Sequence, residues 1–134
     1  WSDHHGLTEK AHTILETVAM ADKQHALVAS LPHGDQRKLE VALLMALDPL
    51  VYMFDEPTAG MSAEEAPVIL NLIRQLKADK SKIILLVEHK MDVVRELADR
   101  IIVLHNGQLV ADGEPATVIA SPIVQEAYLG VAPA

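Results

Sequence analysis

Four consecutive apolar residues, Val51-Tyr52-Met53-Phe54, run straight into two carboxylates and a proline, Asp55-Glu56-Pro57. The run is too short for a buried helix, and the helix stop Asp48-Pro49 precedes it. It therefore reads as a strand covered on both faces, the kind found in parallel sheets flanked by helices. Composition points the same way. Half of the 134 residues are hydrophobic but only 3% are aromatic. A core of Leu, Ile, Val, Ala and Met suits helices packed on a parallel sheet, and the length suits one modest domain.

The rest of the chain fits around that strand. Leu7, Ala11, Ile14, Leu15 and Val18 recur at spacings of three and four, which predicts a helix over about 8–21. Residues 22–35 are polar, broken by Pro32 and Gly34, and read as a loop. Helical spacing resumes from Gln36 to Leu47. Ser62-Ala63-Glu64-Glu65 predicts a capping box opening a helix that runs to about Lys77, with an irregular first turn at Pro67. Ile83–Val87 is a second buried strand, Met91–Ala98 a helix and Ile101–Leu104 a third strand. Asn106-Gly107 predicts a tight hairpin with Leu109–Ala111 as its return strand. Ser121-Pro122 opens a last short helix with Pro at its first position. Alternating strands and helices make this an α/β fold with parallel strands and a carboxy-terminal β-hairpin.

Several function classes are excluded or disfavoured. The net charge of −8 argues against nucleic acid as a partner, because phosphate-backbone binding needs concentrated Lys and Arg. No basic run or basic amphipathic helix suits an anionic membrane. The longest apolar run, Val41–Leu47, is too short to span a bilayer. Cysteine is absent, which removes disulfides and thiolate metal sites and fits a reducing compartment. The start, Trp1-Ser2-Asp3-His4-His5-Gly6, resembles no signal peptide and has no initiator Met, so the expectation is that residues once preceded Trp1. His4 and His5 lack a third ligand for a metal, and His12, His25 and His105 read as surface residues. The positive mean hydropathy predicts apolar surface that lies against a partner or further chain.

The chemistry concentrates at strand ends. In open α/β sheets ligands sit beyond the carboxyl ends of the strands. Side chains alternate along a strand, so Asp55 and Glu56 point differently: one can hold a metal while the other faces a reacting water. An acidic pair at a strand end also serves as a cap or an ion pair. The strand Ile83–Val87 ends similarly, in Glu88-His89. The segment Leu31-Pro32-His33-Gly34-Asp35-Gln36-Arg37 precedes a helix, whose positive end suits anions.

In this order and spacing, LPHGDQR, VYMFDEPTAGMS and ILLVEHKMD resemble the signature loop, Walker B strand, D-loop and switch histidine of ABC transporter ATPase subunits. The resemblance covers about Thr8 to Gly130. DEPTAGMS and the tail PIVQEAYLG are more similar to the branched-chain amino acid importer group, which includes urea and amide importers. The resemblance implies a partial P-loop NTPase fold within one domain over 1–134. Its helical signature region would cover about 8–50, the Walker B-to-hairpin core 51–113 and a helical tail 114–134. It implies that Asp55 holds the Mg²⁺ of ATP, that Glu56 acts as general base, and that His89 meets the γ-phosphate and the attacking water. His33, Gly34 and Asp35 would close on ATP held by the opposite subunit of a dimer. Pro32 and Asp35 stand where the family usually has Ser and Gln, which weakens that half-site. Tyr52 and Phe54 replace the more usual aliphatic residues of the strand.

A phosphate-binding loop needs Gly-x-x-x-x-Gly-Lys-Ser/Thr, and none of the six glycines is followed by Lys. The resemblance therefore implies the carboxy-terminal part of an ATPase subunit, unable to hold ATP alone. A second ATPase subunit and membrane permease subunits would be its partners, at the cytoplasmic face of the inner membrane, with uncovered apolar surface driving self-association. The alternatives are a truncated paralogue that lends its signature loop to a complete subunit, or a repair or translation ATPase of the same family.

Overall fold

The computed structural model describes residues 3–129, with side chains for residues 6–128. The side chains of His4 and His5, and the end of the tail at 130–134, lie outside the described residues. Two compact units divide between Val87 and Glu88.

The first unit comprises α1 (Asp3–Thr17), single 3₁₀ turns at Ala21–Lys23 and Val28–Ser30, α2 (His33–Leu47), β1 (Val51–Asp55), α3 (Ala66–Ala78) and β2 (Ile83–Val87). α2 starts three residues before the predicted Gln36. Pro32 is compatible with the entry to a helix, and it stands at the N-cap in extended backbone. His33, Gly34 and Asp35 are thus the first turn of a helix rather than a loop. Asp48 ends α2 in the left-handed region, its N–H bonded to the Leu44 carbonyl and its carboxylate 2.7 Å from Lys82 Nζ. The predicted capping box forms: the Ser62 N–H donates to Glu65 Oε2 at 3.1 Å, and the Glu65 N–H to Ser62 Oγ at 3.2 Å. It closes a turn ahead of the helix, which begins at Ala66 with Pro67 in its first turn, where no intrahelical N–H is required.

β1, α3 and β2 make a parallel crossover unit, with Val51 opposite Ile83 and Asp55 opposite Val87. Tyr52 (1% exposed) and Phe54 point inward with stacked rings, and α3 buries Ile69, Leu72 and Ile73 along one stripe. The expectation of strands covered on both faces is corrected here. Val51, Met53 (68% exposed), Ile83, Leu85 and Val87 are all exposed, so one face of this two-stranded sheet is covered and the other is open. The apolar run is composed for two covered faces, and among the described residues only one is covered.

The second unit comprises α4 (Met91–Leu97), β3 (Ile101–His105), β4 (Gln108–Gly113), α5 (Pro115–Ile119) and α6 (Pro122–Leu129). Asn106 and Gly107 both take positive φ, the mirror-image turn that matches strand twist, and a bulge at Val110 of β4 sits opposite Val103/Leu104. Among the described residues β3 pairs with β4, antiparallel, rather than joining the parallel pair. Arg100 clips the hairpin to Asp112 through two 2.7 Å hydrogen bonds, which hold the Asp112 carboxyl below its usual range. Ile101, Val103, Val118, Ile119 and Val124 form this unit's core. The sequence reading lacked α5, a five-residue helix capped by the Glu114 side chain on the Thr117 N–H.

Candidate functional site

The covered parallel pair brings one side chain to each strand end. Asp55 closes β1 on the exposed face, opposite Val87. Glu56 follows in the left-handed region, φ +42, while its N–H donates to the Val87 carbonyl at 2.9 Å. A non-glycine residue held there costs of order 1–3 kcal/mol, and such strain collects at functional sites. The turn continues through Pro57 and Thr58 (both buried) to Gly60, φ +72. Asp55 and Glu56 thus place two successive carboxylates at a backbone reversal beyond the end of β1. An exposed carboxylate suits Mg²⁺, which takes one or two protein carboxylates and completes its shell with water and phosphate oxygens. The donor chemistry at Asp55 fits that ion. Among the described residues no cluster of three His, Asp or Glu forms a dedicated metal cage.

The first turn of α2 adjoins this turn. A side chain at Gly60 would meet His33 Nε2 at 3.4 Å, so the His33 ring lies over Gly60. Gly34 and Asp35 are buried. Asp35 is engaged by two lysines: Lys23 on one carboxylate oxygen, and Lys38 at 3.0 Å on the other. The Lys23 hydrogen bond, with help from Lys38, holds the Asp35 carboxyl below its ordinary range against the opposing effect of burial. Its charge at the helix start is thus compensated. Lys38 lies one helical turn on from Asp35, at i,i+3, whereas Lys23 comes from twelve residues upstream. A shallow cavity of about 120 Å³ lies between α2 and β1, lined by Arg37, Val41, Leu44, Met53, Phe54 and Asp55. The Arg37 Nε there is buried without a hydrogen-bond partner.

His89 belongs to the second unit, in the turn entering α4. Its ring is exposed. The Glu88 side chain (1% exposed) accepts from the His89 N–H at 2.9 Å and the Lys90 N–H at 3.0 Å, and the same oxygen lies 3.6 Å from His89 Nδ1. Glu88 thus fixes the backbone that carries the histidine.

This arrangement matches known proteins. A family described as "ABC transporter" matches residues 3–59, a stretch containing the α2 first turn and the Asp55-Glu56 strand end. A second, "Branched-chain amino acid ATP-binding cassette transporter", matches residues 108–134, from β4 onward. The high-affinity branched-chain amino acid transport ATP-binding protein LivG of Escherichia coli (strain K12) is 37% identical over 124 residues. That alignment covers 92% of this chain and 49% of LivG. BraF of Pseudomonas aeruginosa, of the same description, is 35% identical over 98% of this chain and 51% of its own length.

The chain belongs to the ABC transporter ATP-binding family.

The crystal structure of an ATP-binding cassette in its ADP conformation superposes with a TM-score of 0.77 at 32% identity, over 94% of this chain and 51% of that one. A nucleotide-free ATP-binding cassette gives 0.78 at 30% identity, over 94% and 51%. This ABC chain thus spans about half the length of the curated relatives it matches. The α/β reading with parallel strands and a carboxy-terminal hairpin holds for it. Within the first unit, Asp55, Glu56, His33, Gly34 and Asp35 lie on two adjacent turns. Lys23 and Lys38, which pair with Asp35, were not foreseen from the sequence, whereas Glu65 was expected only as part of the Ser62–Glu65 box.

Proposed function

We propose that this chain is the water-activating half of the ATP-binding subunit of an ABC importer for branched-chain amino acids or related amides. The observation that carries the reading is the strained Asp55-Glu56 reversal at the carboxyl end of β1, beside the parallel β2. Asp55 would hold the Mg²⁺ of ATP, through water, with its exposed carboxylate. Glu56 accepts a proton from, or polarises, the attacking water, carried on a backbone held at positive φ. His89, on its Glu88-tethered turn, contacts the γ-phosphate. Phosphoryl transfer needs positioning and charge stabilisation more than covalent chemistry, and these groups supply both. His33, Gly34 and Asp35 face nucleotide held by a second subunit. Permease subunits couple the cycle to transport, which places the assembly on the cytoplasmic face of the inner membrane. The importer class is supported by the LivG and BraF relatives and by the family match over 108–134.

No Gly-x-x-x-x-Gly-Lys-Ser/Thr occurs in these 134 residues. The chain by itself therefore binds ATP weakly and does not turn it over. The same observation favours a second reading, a module that lends its signature turn to a complete subunit. The test joins this chain to the amino-terminal half of LivG and compares ATP turnover of Glu56→Gln with the parent. A loss of about 10²–10⁴-fold is expected for a positioned base. An unchanged rate removes Glu56 from the chemistry. Sub-millimolar ATP affinity of the chain alone, by calorimetry, shows that a phosphate cradle exists elsewhere in it.

A further inference from the structure

Gly34 sits in the first turn of a fifteen-residue helix, and Glu65 thirty-one residues later reaches it. A methyl group at Gly34 would collide with the Glu65 carboxylate, its carboxyl carbon at 2.6 Å and its second oxygen at 3.2 Å. Glu65 is not free to swing away. Its Oε2 is tied to the Ser62 N–H, and its own N–H to Ser62 Oγ, so the carboxylate is held in the turn that follows Asp55-Glu56. α2 has no side chain capping its N-terminus, so an acidic group resting there is also favourable to the helix. Gly34 therefore has a packing role at this site. Its φ lies outside the left-handed region, so backbone strain does not call for glycine; a close approach does.

We propose that Glu65 is a positioning residue: it latches the His33-Gly34-Asp35 turn to the 58–62 turn, so that the two turns move as one body. The Ser62 hydrogen bonds hold the Glu65 carboxylate in place and its carboxyl below the ordinary range, with a smaller contribution from the charge of Lys38. The His33 ring over Gly60 is a second contact between the same two turns. The functional meaning rests on the reading given above, but the contact is testable without nucleotide.

Gly→Ala at an ordinary helical site stabilises, because alanine loses less backbone freedom on folding. Here the sign is expected to reverse. In the full chain, Gly34→Ala lowers the thermal midpoint, because the new methyl drives Glu65 off Ser62. In a Glu65→Ser background the same substitution raises the midpoint. Equal effects of Gly34→Ala in the two backgrounds overturn the latch. If Gly34→Ala alone does not fold, amide NMR of single Glu65 variants decides. Glu65→Ala is expected to shift the His33, Gly34 and Gly60 amide resonances. Glu65→Gln, which keeps the acceptor for Ser62 and the contact with Gly34, is expected to restore them. Unmoved His33 and Gly34 resonances in Glu65→Ala, or shifts confined to residues 62–66, reject the proposal. ATP turnover enters none of these readouts, so failure here and failure of the ATPase reading are separable.

Discussion

At the scale of single residues, two backbone facts dominate. Glu56 is held at positive φ by the ladder bond to Val87, a conformation that glycine adopts at lower cost. Glu56→Gly is expected to leave stability unchanged or raise it by up to about 1 kcal/mol by urea denaturation, while removing turnover in the joined enzyme. Asp35 gives the second prediction. Its carboxyl is held low in the folded chain, so the unfolded chain takes up the proton first as pH falls. The stabilisation is present above the ordinary carboxylate value of 3.8 and is lost as pH drops through the lower folded value. Asp35→Asn is expected to cost about 1–3 kcal/mol at neutral pH, since two lysines lose a charged acceptor. Its urea midpoint is then expected to fall less steeply below pH 4 than the parent's. The positions of Asp55, Glu56 and His89 at or beyond strand ends were legible because strand ends are local patterns. The lysine partners of Asp35 were not: tertiary folding brings Lys23 to it across two turns that no period in the sequence marks.

Elements show where local signals suffice. The Asn106-Gly107 turn, the Pro122 helix start and the Ser62–Glu65 box all stand where the sequence put them, because each is decided by bonds within four residues. Gly107→Val, at φ +75, is expected to cost about 1–2 kcal/mol and to lower amide-exchange protection along β3 and β4. Ile69, fully buried in the α3 stripe, anchors the other unit. Ile69→Ala is expected to cost about 2–5 kcal/mol by chemical denaturation. The start of α2 was misread because Pro32 and Gly34 are breakers by composition, whereas here one precedes the helix and the other makes room for Glu65. The sheet was misread for a different reason. An apolar run reports that a strand is made to be covered, not which chain covers it.

At the scale of the whole molecule, the open face of β1 and β2 is the dominant feature. Met53, Ile83, Leu85 and Val87 present contiguous apolar side chains beside strand edges that pair with no further strand among the described residues, which favours association. Concentration-dependent mass in light scattering is expected, and Met53→Lys with Leu85→Lys is expected to abolish it without lowering the thermal midpoint, since both sites are exposed. A mass independent of concentration removes the idea. The same face has a cellular consequence. Chaperones and proteases sort chains by exposed apolar stretches, and Ile83–Val87 is such a stretch even when this chain is folded. A surface that shields this strand, whether from a partner or from further chain, is expected to remove that signal and slow proteolysis.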